Sequence, residues 1–217
     1  MSGRKTQRKK KSTGRKIICR DSLPWLAEQK GKLNAIVTSI PEMDEVGLKE
    51  DDYVVFFREA GRLCLEAIKD TGYCIFLQTD RKHKGWIDKS YYLADEAEKL
   101  GINMVWHKIA LRVNVGKSDI FRPGYSHMLC FSKKGKIKPI MPDVIERGEI
   151  TYDNAFGMDA VKMVMEFLKT NRVKHITDPF VGSGTTAAIA NAMGMEATGL
   201  DIDRAQCKKA EKLVIAL

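Results

Sequence analysis

The sequence has no apolar run long enough to span a bilayer, and no hydrophobic stretch of signal-peptide type follows its basic start. A membrane-embedded segment and a secretory leader are therefore not expected. Its five cysteines, Cys19, Cys64, Cys74, Cys130 and Cys207, are widely spaced with no Cys-x-x-Cys pair. That spacing excludes a zinc or disulfide framework and reads as reduced thiols in an intracellular protein. Internal repeats are absent, and in the glycine-rich segment near the C-terminus no lysine precedes Thr185 or Thr186, which rules out a phosphate-binding P-loop.

Acidic residues are missing from the first 16 positions, which hold eight of the chain's Lys and Arg residues, so of a net charge of +9 only about +1 belongs to the rest. The high isoelectric point is thus a property of the tail. We expect residues 1–16 to be a disordered basic tail, suited to holding nucleic-acid phosphates without sequence preference or to serving as a nuclear address. Residues 17–217 are expected to form a single domain, because 217 residues at 44% hydrophobic content can bury one substantial core.

The most informative stretch runs from Thr177 to Asp203. An apolar lead-in precedes Asp178-Pro179-Phe180-Val181-Gly182-Ser183-Gly184-Thr185-Thr186; an alanine-rich run then reaches Gly194, and Ala197 to Asp201 is strand-like. It reads as strand, glycine loop, helix, strand, acid. Gly182 and Gly184 allow a tight turn and close approach of a ligand, a helix opening at Thr185 aims N–H groups at an anion, and an acid ending the next strand can bind ribose hydroxyls. This is a nucleoside-cofactor site. The loop also fits a loose dinucleotide fingerprint, but only 14 residues follow Asp203, so the rest of the sheet is expected upstream.

Upstream, Asn34-Ala35-Ile36-Val37 is a short strand that runs into Thr38-Ser39-Ile40-Pro41-Glu42. With the glycine loop late in the chain and Ser-x-Pro after an early strand, the sequence resembles the circularly permuted class of S-adenosylmethionine-dependent amino methyltransferases, the DNA N4-cytosine/N6-adenine methyltransferase-like superfamily. The resemblance covers most of residues 17–217. Asp21 after Ile17-Ile18, the segments around Trp106 and from Arg122 to Lys133, and Phe156-Gly157-Met158 are similar to further parts of that family. It implies an α/β fold with a doubly wound mixed sheet, a Rossmann-like methyltransferase fold with permuted motif order.

The resemblance implies S-adenosyl-L-methionine as cofactor, no metal, and transfer to an exocyclic amine of a nucleic-acid base. RNA is favoured slightly over DNA because no sizeable insertion could serve as a sequence-reading domain. The sulfonium is already activated, so the protein mainly aligns nitrogen, methyl and sulfur in a dry pocket. The Ser39 hydroxyl and the Ile40 carbonyl would accept the amine hydrogens, with Pro41 stiffening the turn. On the cofactor side the resemblance implies Gly182 and Gly184 for close approach, Asp178 and Phe180 at the loop entrance, Thr185 near the methionine carboxylate, Asp201 on the ribose and Asp21 near the adenine.

The sequence departs from the family in the turn, where Ile40 stands for the second proline and Glu42 for the aromatic ring that stacks a flipped base. Phe121, Tyr125 or Trp86 is expected to replace that ring; failing that, a protein partner or a second copy supplies it, or the substrate is not a flipped base. Two other readings stay open: a catalytically inactive methyltransferase-like binding subunit, and a methyltransferase for a protein or small molecule. Helices are expected over 48–69, ended by Gly72, and over 90–100 and 159–169, with strands over 73–79, 103–112 and 125–132. The irregular 113–124 segment fits a lid, a substrate-contact loop or a plain hairpin loop equally. His83, His107, His127 and His175 are scattered and read as packing or surface residues.

Overall fold

The structure is a computed structural model and describes residues 14–83, 85–135, 141–152 and 155–217. Most of the expected tail lies outside these residues, but Arg15 and Lys16, assigned to it from their charge, open the first strand. Along the chain the elements are β1 (Arg15–Cys19), α1 (Ser22–Glu28), β2 (Leu33–Thr38), α2 (Met43–Val46), α3 (Glu50–Ala67) and β3 (Ile68–Gln78). A small hairpin of β4 (Arg81–His83) and β5 (Gly85–Ile87) precedes α4 (Lys89–Lys99), β6 (Asn103–Leu111), β7 (Tyr125–Ser132) and β8 (Val144–Glu146). The chain closes with α5 (Met158–Thr170), β9 (His175–Asp178), α6 (Thr185–Ala192), β10 (Glu196–Asp201) and α7 (Arg204–Lys212).

Aspartates start several helices: the side chains of Asp21, Asp88 and Asp203 accept backbone N–H groups at the openings of α1, α4 and α7. The helix expected over 48–69 ends earlier, at Ala67, and Gly72 lies inside β3 instead of stopping the helix. The reason is steric. A Cβ at Gly72 would come within 2.9 Å of the Asn34 carbonyl oxygen, so glycine is what lets β3 run against β2 where their register shifts.

Among the described residues the main sheet has eight strands in the order β1-β10-β9-β2-β3-β7-β6-β8. Strands β1, β10, β9, β2 and β3 run parallel; β7 is antiparallel to β3 and β6 to β7, while β8 is parallel to β6. The sheet is doubly wound and mixed, as expected. Gly72–Gln78 is buried throughout, because successive side chains enter opposite cores. Tyr73, Ile75 and Leu77 pack with α5 and α6 on one face, whereas Cys74 and Phe76 pack with α3 and α4 on the other.

The site follows from this winding. From β9 the chain turns through α6 to β10 on one side, and from β2 through α3 to β3 on the other. Strand order therefore reverses between β9 and β2, and the crevice at their carboxyl ends is where open α/β sheets bind ligands.

Candidate active site at the switch point

A cavity of about 680 Å³ opens at that crevice, a size typical of small-molecule sites. Asp21, Ser39, Pro41, Asp178, Phe180, Gly182, Thr185 and Asp201 all line it. Residues up to 180 positions apart in the sequence thus converge on one space.

Asp178, the last residue of β9, is buried, and its Oδ1 accepts the Thr38 hydroxyl from the end of β2 at 2.7 Å. This bond ties the two switch-point strands together. Burial pushes the Asp178 carboxyl up to about 6 against the pull of its hydrogen bonds from Thr38 and the Phe180 amide. Within the loop that follows, Gly182 has φ +50° and Gly184 φ +95°, both left-handed. At Gly182 a Cβ would point at the Tyr152 hydroxyl, 3.2 Å away, under the roof of the cavity.

Gly184 has a packing role of its own. Its missing Cβ faces Ala210 of α7, whose Cα it would approach to 2.6 Å, and it does not line the cavity. The close contact that the missing Cβ makes possible here is between the loop and a helix of the protein.

Asp201 ends β10 half-buried, its carboxylate accepting the Gly182 amide at 3.0 Å and the Asp203 amide at 2.8 Å, and burial raises its pKa. Those two bonds fix its orientation and leave lone pairs directed at the cavity. Cys19 pairs with Asp201 in the β1–β10 register, so Asp21 follows at the neighbouring strand end. Leu23, Val46, Leu48, Phe56 and Ile202 supply an apolar lining between these acids and the turn. An apolar slot with acids at one end, a glycine cradle and the start of α6 in its wall fits an amphipathic nucleoside carrying an anionic tail.

On the opposite wall, Ser39 is exposed at the end of β2 and borders both the cavity and an adjoining recess. The Ile40 side chain is buried in the core, while its carbonyl accepts the Gln78 amide at 3.3 Å; the Pro41 carbonyl accepts the Tyr53 hydroxyl at 3.1 Å. Glu42 pairs with the wholly buried Lys89 at 2.6 Å, and Lys89 also lies over the Tyr53 and Phe57 rings. Burial lowers the Lys89 pKa, and Glu42 offsets part of that. The recess continues past Glu42 and Glu45 to Arg112, Arg122 and Arg147.

Several of these groups escaped sequence reasoning. The recess arginines come from the end of β6, the 113–124 loop and the residue after β8; Arg122 alone had been noted. That loop is tied down by Asp119, which accepts the amides of Phe121 and Arg122, and by a bond from Lys82 to the Phe121 carbonyl. Phe121, Tyr125 and Trp86 do not line the cavity or recess. Phe156 borders both, as Ser39 does, and brings an aromatic ring to the space they share. The histidines are not all isolated either, since His107 bonds His127 at 2.8 Å and His127 bonds Asp80 at 3.0 Å.

Residues 163–212, from within α5 through the glycine loop and β10 to the end of α7, match the family described as DNA methylase of the N6/N4 type. Solved structures share the fold across nearly the whole chain. A Thermus thermophilus protein assigned to the DNA modification methylases, in complex with S-adenosyl-L-methionine, aligns with TM-score 0.69 and 17% identity over 92% of this chain and 93% of that one. The M1.HpyAVI–SAM complex aligns with TM-score 0.63 and 16% identity over 91% and 97%. The PvuII DNA methyltransferase, cytosine-N4-specific, aligns with TM-score 0.75 and 13% identity over 92% and 86%. No curated protein matches the sequence closely enough to count as a relative. The chain has the Rossmann-like fold of the amino methyltransferases, and the sequence resemblance to that superfamily stands.

Proposed function

We propose that the protein is an S-adenosyl-L-methionine-dependent N-methyltransferase acting on an exocyclic amine of a nucleic-acid base. The observation that carries this reading is the convergence, at one switch-point cavity, of the glycine loop and Asp201 with the Ser39–Pro41 turn. When bound, the cofactor supplies an electrophilic methyl group; the residues of the chain orient and exclude water. Asp201 and Asp21 accept ribose and adenine donors, Thr185 with the opening of α6 faces the carboxylate, and Gly182 leaves room beneath Tyr152.

The substrate base enters from the recess side. Phe156 offers the stacking surface that position 42 lacks, and Arg112, Arg122 and Arg147 surround the entrance with charge suited to phosphates. The solved structures of the same fold are DNA methylases by name, which moves the preferred polymer from RNA to DNA. The basic tail adds sequence-independent attraction to either.

Transfer of labelled methyl from S-adenosyl-L-methionine to separate pools of genomic DNA, total RNA and protein tests the proposal. Label in DNA, followed by nucleoside analysis showing an N-methylated base, is the expected result. Label in RNA alone would reverse the polymer preference. Label confined to protein, or to no pool at all, would overturn the reading.

A further inference from the structure

A base held in a duplex cannot present its exocyclic amine to the cavity; it has to leave the stack, against the pairing and stacking that hold it, and it leaves a gap behind. The loop between β6 and β7 stands at the rim of the entrance. Arg122 lines the recess, and Phe121 precedes it directly, so their Cα atoms are about 3.8 Å apart. Yet Phe121 lines neither recess nor cavity; it is 73% exposed, and its neighbour Ile120 is 83% exposed. Single exposed apolar residues are common, whereas two adjacent ones on a firmly held backbone form a fixed apolar tip. The Phe121 amide donates to Asp119 Oδ1 at 2.9 Å, and the Phe121 carbonyl accepts the Lys82 amide at 3.0 Å. Lys82 Nζ also donates to the Asp119 carbonyl at 2.9 Å, and Arg112 to the Pro123 carbonyl at 3.0 Å. The tip is thus in place before anything binds, which reduces the ordering cost of docking.

We infer that Phe121, with Ile120 beside it, is a wedge: its ring enters the stack of a base-paired strand at the place the target base has left, and keeps that place filled while the base lies in the recess. This rests on the amino-methyltransferase reading above, and it makes the duplex, not a single strand, the preferred substrate. Charge favours a nucleic-acid occupant of the tip over a protein one. From Arg112 to Gly124 Asp119 is the only acid, against Arg112, Lys117 and Arg122. In the recess three arginines meet two acids, one of which Lys89 already pairs. Cations at the rim hold the phosphates that flank the target, and an apolar side chain among them replaces the stacking that the departed base gave its neighbours. Phe121 is therefore not a substitute for the ring missing at position 42. That ring would stack the extracted base, a task left to Phe156, whereas Phe121 acts on the strand that stays behind.

The test uses the full-length protein and a synthetic duplex carrying the site mapped in whichever nucleic-acid pool takes up label. It is compared with the same duplex holding an abasic position opposite the target, and with the unpaired strand. Phe121→Ala should lower the single-turnover rate on the paired duplex by about tenfold or more, the scale of one lost stacking contact. On the other two substrates, where less pairing opposes extraction, the loss should shrink to less than about threefold. Phe121→Trp, which keeps an aromatic ring, should stay within about threefold of wild type on the paired duplex. With 2-aminopurine at the target position and S-adenosylhomocysteine present, fluorescence should rise when the wild type binds the duplex and rise much less with Phe121→Ala. Affinity for S-adenosyl-L-methionine and thermal stability should be the same in both proteins, because the ring is exposed and outside the cavity. A paired-duplex rate in Phe121→Ala within about threefold of wild type, an equal loss on all three substrates, or a wild type that labels only the unpaired strand overturns the inference while the methyltransferase reading survives. A wild type that binds cofactor but labels no nucleic acid overturns both.

Discussion

The two walls of the cavity are built in different ways. The cofactor wall, from Asp178 to Asp201, is one continuous strand–loop–helix–strand segment that closes on itself, as in the bond from the Gly182 amide to Asp201. The substrate wall is assembled from pieces far apart in the chain: Glu42 meets Lys89 across 47 positions, and His127 meets Asp80 across the same separation. A wall made of local backbone geometry tolerates little change in its glycines and acids. One made of distant side chains can be rebuilt position by position.

Breaking the ion pair of the substrate wall should have the largest effect. Lys89→Met leaves the Glu42 carboxylate without its buried partner and should cost about 3–5 kcal/mol of stability by chemical denaturation. Adding Glu42→Leu should restore most of it, because removing both charges also removes both desolvation costs. A double variant as unstable as the single one would mean that the wall depends on packing by Lys89 and not on the pair.

Asp178 allows a comparable test at the seam between the walls. Its folded-state carboxyl lies at about 6, above the unfolded value of about 3.9, so the folded state favours the protonated form. Its contribution to stability is fully present below about pH 4, falls as pH rises toward 6, and is flat above that. The loss amounts to about 3 kcal/mol at most. Asp178→Asn should abolish this slope between pH 4 and 7, which denaturation at a series of pH values would reveal.

Within the cofactor wall the two loop glycines should separate. Gly184→Ala forces a Cβ to 2.6 Å from Ala210 at a left-handed φ and should cost roughly 1–3 kcal/mol of stability. Gly182→Ala shares the strain of a left-handed φ but meets only the Tyr152 hydroxyl at 3.2 Å, so we expect it to cost less stability than Gly184→Ala and to weaken cofactor binding as well. Equal stability losses in the two would dissolve that distinction. The smallest effect is expected from deleting residues 1–13: unchanged cofactor affinity, with a shallower salt dependence of nucleic-acid binding.

The same contrast explains what could be read without a structure. The glycine loop, Asp201 and the start of α6 at Thr185 were legible because each depends on residues next to it in sequence. The resemblance supplied Ser39 and the permuted order, so the two motifs were placed together before the sheet showed β2 beside β9. The packing of Gly184 against α7 was hidden because close approach to a helix and close approach to a ligand leave the same mark in sequence. Gly72 was misread for a similar reason, a strand contact having been taken for a helix stop. The partners of Glu42, Asp80 and His107, and the convergence of Arg112, Arg122 and Arg147, were hidden because tertiary packing alone brings them together.

Equilibrium binding of S-adenosyl-L-methionine to the wild type and to Asp201→Ala tests the central claim most directly. The account predicts one cofactor per chain, with affinity reduced tenfold or more in the variant, consistent with loss of hydrogen bonds to a charged group worth about 1.5–3 kcal/mol. A wild type that does not bind the cofactor, or a variant that binds it unchanged, would contradict the assignment of the switch-point cavity.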